Sequence, residues 1–278
     1  MAATDIVMRT AQAPVSTLVK LGGQATFYVK CVASVPRTLR LYKNEVLRLL
    51  ADISWGSGAI LVGGGTIGVM LTLSLFTGTQ VGIEGFNGLQ IIGLAPLTGF
   101  VSAYANTREL APIAAALAFA AQMGCRYTAQ LGSMRIAEEV DALEVMGIPS
   151  IPYLVTTRMI AAFGAILPLY LIGLFGSYVA TEFTVTFLYG QSRGTYLHYF
   201  YTFLNPIDIV YSVLKIAVFA VLITLIHCYF GYNASGGPQG VGLATGRAIR
   251  TSIIVIVLAD MFLTLAIWGY DPGVRLSG

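Results

Sequence analysis

Long apolar runs constrain this chain more than any other feature of its sequence. The runs from Ala161 to Ala180 and from Ile216 to Ile226 have no polar face that could meet water. A helix that crosses a bilayer needs about 20 mostly apolar residues, and several such runs are present. We therefore expect a single all-α integral membrane domain.

Composition and charge support this class and exclude others. The chain is 56% hydrophobic and 10% charged, whereas soluble domains have about 25% charged residues. The net charge is only +3, and the basic residues are concentrated before the first long apolar run and not spread along a binding face, so nucleic acid is not an expected partner. Cys31, Cys125 and Cys228 lie far apart without a C-x-x-C spacing, which favours packing roles over a disulfide framework or a metal site. The polar opening MAATDIVMRT has no signal-peptide pattern.

Hydropathy predicts five membrane crossings. The second crossing is uncertain at its start, because Leu89–Tyr104 is apolar but short for a bilayer and is either re-entrant or part of that span. A polar break is expected at Gln80–Asn87. The clearest parts of the five spans are Gly58–Phe76, Leu110–Gly132, Tyr153–Val179, Ile207–Phe230 and Ile249–Trp268. An odd number of spans disfavours the inverted repeats common in secondary transporters.

The segment before the first span mixes apolar and basic residues. Val15–Leu50 is typical of an amphipathic helix that lies in the membrane surface, although a solvated amphipathic helix has the same pattern. We therefore predict that the chain is divided into three parts: an amino-terminal cytoplasmic and interfacial segment (1–55), a transmembrane domain (56–270) and a short extracytoplasmic tail (271–278). The distribution of lysine and arginine predicts a cytoplasmic amino terminus and an extracytoplasmic carboxyl terminus.

Acidic residues are concentrated in the segment RIAEEVDALEVMGI, residues 135–148. On a helix, one stripe would contain Ile136, Val140, Leu143 and Gly147, and the opposite side would contain Glu138, Asp141 and Glu144. A two-faced cytoplasmic helix of this kind is suited to a groove on another protein. The alternative is that the acids only keep a loop hydrated.

Glycine-rich stretches have simpler explanations than nucleotide binding. GYNASGGPQGVGLATGRAIR, residues 231–250, matches neither G-x-G-x-x-G nor G-x-x-x-x-G-K-[ST], so we expect a flexible cytoplasmic turn with Pro238 as helix breaker. Gly64 and Gly68 have the small-xxx-small spacing of close helix packing or of a dimer seam. His198 and His227 are too far apart for a spaced metal pair, and catalysis by this chain is not expected.

Ionisable residues inside apolar sequence are candidates for function. They are Arg108, Glu109, Lys215 and Asp260. Each costs about 2.5–3.5 kcal/mol to insert into a membrane, so such residues usually face a cavity or each other. A structural alternative is that a cation and a carboxylate in this set pair only to hold helices together.

Three stretches together resemble the MlaE/YrbE family, the permease subunits of lipid-transporting ABC systems. They are NTRELAPI (106–113), MRIAEEVDALEVMGI (134–148) and the glycine-rich stretch 231–250. The resemblance extends over most of the chain, and it is greatest to the YrbE permeases of actinobacterial Mce complexes.

The resemblance implies a heteromeric machine in the plasma (inner) membrane. Two related permeases enclose a lipid cavity, a cytoplasmic ABC ATPase dimer binds ATP and Mg, and MCE-domain proteins form an extracytoplasmic lipid conduit. This chain would hold no cofactor. The segment 134–148 corresponds to the coupling helix that docks on the ATPase, with Arg135, Glu138, Glu139, Asp141 and Glu144, and Arg108, Glu109, Lys215 and Asp260 resemble positions near the lipid cavity. Fatty acids or mycolic-type lipids, then sterols, are the implied cargo, with import as the direction. The alternative is a membrane channel or scaffold for small solutes that ATP does not drive.

Overall fold

The computed structural model of this chain describes residues 22–55 and 65–269, and no strand occurs within those ranges. This confirms the all-α class. The helices are α1 (22–33), α2 (Val35–Leu41), α3 (Lys43–Trp55), α4 (Gly65–Ile91), α5 (Thr98–Val101), α6 (Ala111–Phe119), α7 (Cys125–Ile136), α8 (Glu139–Val145), α9 (Thr157–Phe183), α10 (Arg193–Phe203), α11 (Pro206–Tyr232) and α12 (Gly237–Trp268).

Stretches of π-helix join several of these elements into longer rods. They are Ser102–Leu110, Ala120–Gly124, Ile151–Thr156 and Thr184–Leu188. As a result, residues 98–136 form one continuous helix and residues 151–188 form another. A short 3₁₀ turn, Ala95–Leu97, leads into the first of them.

Four helical segments of the described chain are long and apolar enough to cross a membrane. They are Gly65–Ile91, Ile151–Leu188, Pro206–Tyr232 and Gly237–Trp268. The continuous helix 98–136 is not in this set, although it corresponds to the predicted second crossing. It packs against α4, α11 and α12, and Ala116, Phe119 and Ala120 on it are fully buried. Because protein surrounds this helix, it needs less apolar surface than a lipid-facing one, and five crossings stays a prediction.

The predicted polar break at Gln80–Asn87 is wrong. Helix α4 continues through it to Ile91, while residues 58–64 of the predicted first span lie outside the described residues. The polar residues Gln80, Glu84 and Asn87 follow an i, i+4, i+7 spacing and all lie on the exposed side of α4. Hydropathy averaged along the chain cannot separate such a face from a break.

Leu89–Tyr104 is not a re-entrant segment. It contains the end of α4, a turn in which Gly93 has φ +74°, and the beginning of the continuous helix 98–136. The left-handed backbone at Gly93 suits glycine, because a side chain there would be strained. Thr98–Tyr104 therefore belongs to the predicted second span, and the residues before it do not.

Helices α4 and α9 approach each other closely at glycines that sequence analysis did not single out. A Cβ added to Gly78 would lie 2.2 Å from the carbonyl oxygen of Ser177. The hydroxyl of Thr181 donates a hydrogen bond of 2.7 Å to the carbonyl of Gly78. Small residues at this seam let the two backbones meet. The predicted seam at Gly64 and Gly68 lies partly outside the described residues.

The amino-terminal segment forms three short helices instead of the single one predicted, with Pro36 in the first turn of α2. Its inner side, which includes Phe27 and Cys31, packs in the core together with Cys228. Val29 and Leu47 are apolar and exposed on its outer side. This two-sided pattern is compatible with the membrane surface, and the interfacial location stays a prediction.

The glycine-rich stretch is mostly helical, so the predicted flexible turn is wrong for most of its length. Helix α12 begins at Gly237, well before the predicted Ile249, and Pro238 lies in its first turn. Proline is well tolerated there because the first N–H groups of a helix have no partner inside it. Only the few residues before Gly237 form the turn, where Gly236 has φ +89°.

Candidate functional site

The acidic segment is not one helix from 134 to 148, as predicted. Helix α7 ends at Ile136, Glu138 has left-handed backbone with φ +60°, and α8 contains only the seven residues Glu139–Val145. Gly147, with φ +77°, ends the segment. These two left-handed residues separate α8 from its neighbours and make it a distinct short element.

Helix α8 has an inner side and an outer side. Val140 is fully buried and Leu143 packs against the core, as the predicted stripe requires. Ile136 and Gly147 are exposed instead, because the break at Glu138 changes the direction of the chain. The acids of this segment, namely Glu138, Glu139, Asp141 and Glu144, are all exposed.

Two of these acids have partners within the chain. Asp141 Oδ1 pairs with Arg135 Nη1 at 2.5 Å. Glu144 Oε1 accepts hydrogen bonds from Ser150 Oγ at 2.5 Å and from the Tyr232 hydroxyl at 3.3 Å. Ser150 directly precedes the helix 151–188, and Tyr232 is the last residue of α11. Glu144 therefore connects α8 to two long helices.

The outer surface of α8 also has an apolar tip that sequence analysis missed. Val145 is 88% exposed and Met146 is 66% exposed, directly after the acids. Glu138 and Glu139 form no ion pair with any described residue. An exposed apolar pair beside exposed charge is typical of protein interfaces, and the letters VM after the acidic run were the signal for it.

The four ionisable residues predicted inside apolar sequence meet at the opposite end of the bundle. Lys215 is fully buried, and its Nζ lies 2.7 Å from Asp260 Oδ1 and 3.2 Å from Glu109 Oε2. The same Nζ donates to the carbonyl of Arg108 at 2.7 Å and to Thr264 Oγ1 at 2.8 Å. The Thr264 hydroxyl in turn donates to Glu109 Oε1 at 2.8 Å.

A second ion pair adjoins the first. Arg108 donates to Asp208 Oδ2 from Nη2 at 2.8 Å and from Nε at 3.1 Å. The other oxygen of Asp208 accepts from Trp268 Nε1 at 2.9 Å. The Arg108 guanidinium also lies 4.0 Å from the ring centroid of Tyr104. Asp208, Thr264 and Trp268 were not predicted. Asp208 lies in the first turn of α11, where an acid is ordinary and gives no functional signal.

Comparison with known proteins assigns this chain to a family. The family model described as Permease MlaE matches residues 57–266, most of the chain. The chain belongs to the MlaE permease family. Helix α8 and the charged cluster (Arg108, Glu109, Asp208, Lys215, Asp260, Thr264 and Trp268) both contain residues within that match.

Relatives of this MlaE-family permease are found in bacteria and in a plant. A probable ABC transporter permease protein of Rickettsia bellii is 32% identical over 88% of this chain and 90% of its own length. A probable ABC transporter permease protein of Synechocystis is 31% identical over 73% of this chain and 78% of its own. Protein TRIGALACTOSYLDIACYLGLYCEROL 1, chloroplastic, of Arabidopsis thaliana is 33% identical over 72% of this chain. The matched region covers 57% of the length of the plant protein.

In this MlaE-family permease the charged cluster is largely closed to solvent. Arg108 and Lys215 are buried, whereas the side chain of Glu109 is 33% exposed. The predicted cavity residues therefore face each other within one chain, and Glu109 is the member that reaches the surface. A buried network of this kind is held by its internal pairing, since an unpaired buried charge is costly.

Proposed function

We propose that this chain is a permease subunit of an ATP-driven lipid transporter of the Mce type. It pairs with a related permease to enclose a lipid cavity and imports fatty acids or related lipids across the plasma (inner) membrane. A cytoplasmic ABC ATPase dimer binds ATP and Mg, and MCE-domain proteins continue the lipid path on the extracytoplasmic side. The amino terminus is cytoplasmic and the carboxyl terminus is extracytoplasmic.

The geometry of α8 is the observation that supports coupling to an ATPase. Its exposed acids and its apolar tip, Val145 and Met146, form a small surface of mixed character at one end of the bundle. A displacement of α8 would act through Glu144 on Ser150 and Tyr232, and so on two long helices. The printed sequence has no G-x-x-x-x-G-K-[ST] motif, so ATP hydrolysis requires another subunit.

The lipid part of the proposal is supported by a relative and by the charged cluster. The name of the Arabidopsis relative refers to a galactolipid, trigalactosyldiacylglycerol. At the end of the bundle opposite α8, partly exposed Glu109 links the surface to buried Lys215. In the proposed dimer, this position faces the lipid cavity and meets the polar end of the cargo, while apolar helix faces contact its acyl chain.

A double charge reversal tests the coupling. Glu138→Lys combined with Glu139→Lys changes two exposed acids that have no ion-pair partner among the described residues, so we expect the permease to fold normally. We expect at least about tenfold less ATPase to co-purify when the variant is co-expressed with the second permease and the ATPase, since charge complementarity guides such interfaces.

The control is Glu84→Lys, which reverses the charge of an exposed acid near the carboxyl end of α4. This variant should bind as much ATPase as the wild type. Wild-type ATPase recovery and wild-type lipid uptake by the double variant would contradict the proposal and would favour a channel or scaffold that ATP does not drive.

A further inference from the structure

A cavity of about 710 Å³ lies between α3, α7 and the beginning of α9, and none of the acids of the α8 segment and no member of the charged cluster line it. Its size falls within the range of small-molecule sites, roughly 300–1,000 Å³. Polar residues form one part of its wall, and Leu49, Ala51 and Met134 form an apolar part. The charged residues that line it are Glu45, Arg48, Asp52, Arg126 and Arg158.

The charges in this cavity do not balance. Asp52 pairs with Arg126 at 2.7 Å, and Glu45 contacts Arg48 at 3.5 Å. Arg158 forms no ion pair with any carboxylate of the described residues. The cavity therefore has one cation in excess, and that cation is Arg158.

Arg158 is also the most buried of the three arginines. It is 8% exposed, and its Nη1 donates to the carbonyl of Leu154 at 2.5 Å. Its Nε is buried and has no hydrogen-bond partner in the described structure, and the same holds for the hydroxyl of Tyr127. The guanidinium carbon of Arg158 lies 5.9 Å from the Tyr127 ring centroid. A buried cation without a counter-charge is costly, so the site has the chemistry of an anion receptor.

We propose that this cavity binds the phosphate of an anionic phospholipid headgroup through Arg158, at a site separate from the transported cargo. Arginine is well suited to phosphate because its planar group donates two parallel hydrogen bonds. The apolar wall of the cavity fits the glycerol and the first methylenes of a lipid. Leu47 is a further apolar residue that is exposed on α3, one of the helices that form the cavity.

Lipid binding to the purified full chain in neutral detergent tests the site. We expect native mass spectrometry to detect bound phosphatidylglycerol in preference to phosphatidylcholine. Arg158→Gln should weaken phosphatidylglycerol binding about tenfold or more, since a charge-assisted hydrogen bond to a buried partner is lost. Arg158→Lys, which keeps the charge, should bind with intermediate affinity.

Arg250→Gln is the matched control, because it removes an exposed arginine of α12 that does not line this cavity. It should leave phosphatidylglycerol affinity unchanged. A thermal-shift readout adds a second criterion: phosphatidylglycerol should raise the melting temperature of the wild type and of Arg250→Gln, but not that of Arg158→Gln.

Equal phosphatidylglycerol affinity of wild type and Arg158→Gln would overturn the proposal, as would equal binding of the two lipids by the wild type. If millimolar inorganic phosphate reproduces the whole thermal shift and the lipid adds nothing, the phosphate site is supported and its lipid source is overturned.

Should Arg158→Gln fail to fold, Arg48→Gln at the cavity rim should weaken binding about two- to threefold, and no weakening would count against the site. ATPase recovery is expected to stay normal in both variants, which separates this test from that of the proposed function.

Discussion

The two ends of the bundle use acidic side chains in opposite ways. At one end, Glu138 and Glu139 are exposed and have no ion-pair partner among the described residues. At the other end, Asp208 and Asp260 are buried, and each lies within 3 Å of a buried cation. We expect the first pair to contribute little to the stability of the chain, whereas the second pair neutralises two buried cations, Arg108 and Lys215.

This difference separates residues available to a partner from residues committed to the fold. An exposed acid can be replaced at little cost to folding, so any large effect of its replacement is an effect on binding. A buried ion pair behaves oppositely, because removal of one member leaves an unpaired charge in a low-dielectric environment. The predictions below test this contrast, from the largest expected effect on stability to the smallest.

Lys215→Met should have the largest effect on stability. It removes the cation shared by Asp260 and Glu109, and we expect a loss of about 3–5 kcal/mol in the free energy of unfolding. This loss of stability can be measured by thermal unfolding in detergent, with fluorescence-detected size-exclusion chromatography as the readout.

The control for this variant is Lys215→Met combined with Asp260→Leu. It removes both charges and should recover much of the loss, since apolar replacement of a whole buried pair is often nearly neutral. A single variant that melts like the wild type would show that the cluster is not held by its pairing.

Asp208→Asn should have an intermediate effect. Asparagine keeps the shape and can still accept from Trp268, but it no longer neutralises Arg108. We expect a loss of about 2 kcal/mol, in the range of hydrogen bonds to charged groups. Chemical denaturation of the purified permease would reveal it, and an unchanged unfolding midpoint would exclude the ion pair as a stabilising contact.

Glu144→Ala should destabilise the chain least among these variants and should act chiefly on coupling. Its hydrogen bonds to Ser150 and Tyr232 lie at an exposed position, so we expect a loss of about 1 kcal/mol. If α8 transmits force through these contacts, lipid uptake should fall more than ATPase recovery does. Equal losses of uptake and recovery would indicate that Glu144 only positions the docking surface. Tyr232→Phe, which removes one of the two contacts, should give a smaller defect.

Much of the fold is predictable from sequence, because apolar length and helical periodicity are local properties. The long helices α9 and α11 and the buried position of Val140 follow from such patterns. The ends of the helices do not follow from these local patterns. Helix α4 continues through polar residues that share one exposed face, and α12 begins at glycines that hydropathy assigns to a loop.

The site is less predictable, because its contacts join residues far apart in sequence. Arg108 and Asp208 are separated by 100 positions, and Trp268 lies a further 60 from Asp208. The four ionisable residues could be selected by their apolar context, yet their pairing depends on how three helices pack. The sequence does not single out Arg158, since nothing local reveals that it lacks a carboxylate partner among the described residues.

The exposed tip of α8 allows the most direct test of the central claim, that an ATPase binds this element. Val145→Cys, in a Cys125→Ser background, places a thiol at a position where the native side chain is 88% exposed. The remaining native thiols react slowly: Cys228 is fully buried, and burial raises the pKa of Cys31 to about 12. Tyr201→Cys, exposed on α10 at the opposite end, is the control.

The rate of maleimide labelling at Val145→Cys is measured in the permease pair with and without the bound ATPase. We predict rapid labelling without the ATPase and at least about tenfold protection with it, while Tyr201→Cys reacts at the same rate in both states. Equal labelling of Val145→Cys in the two states would contradict the account.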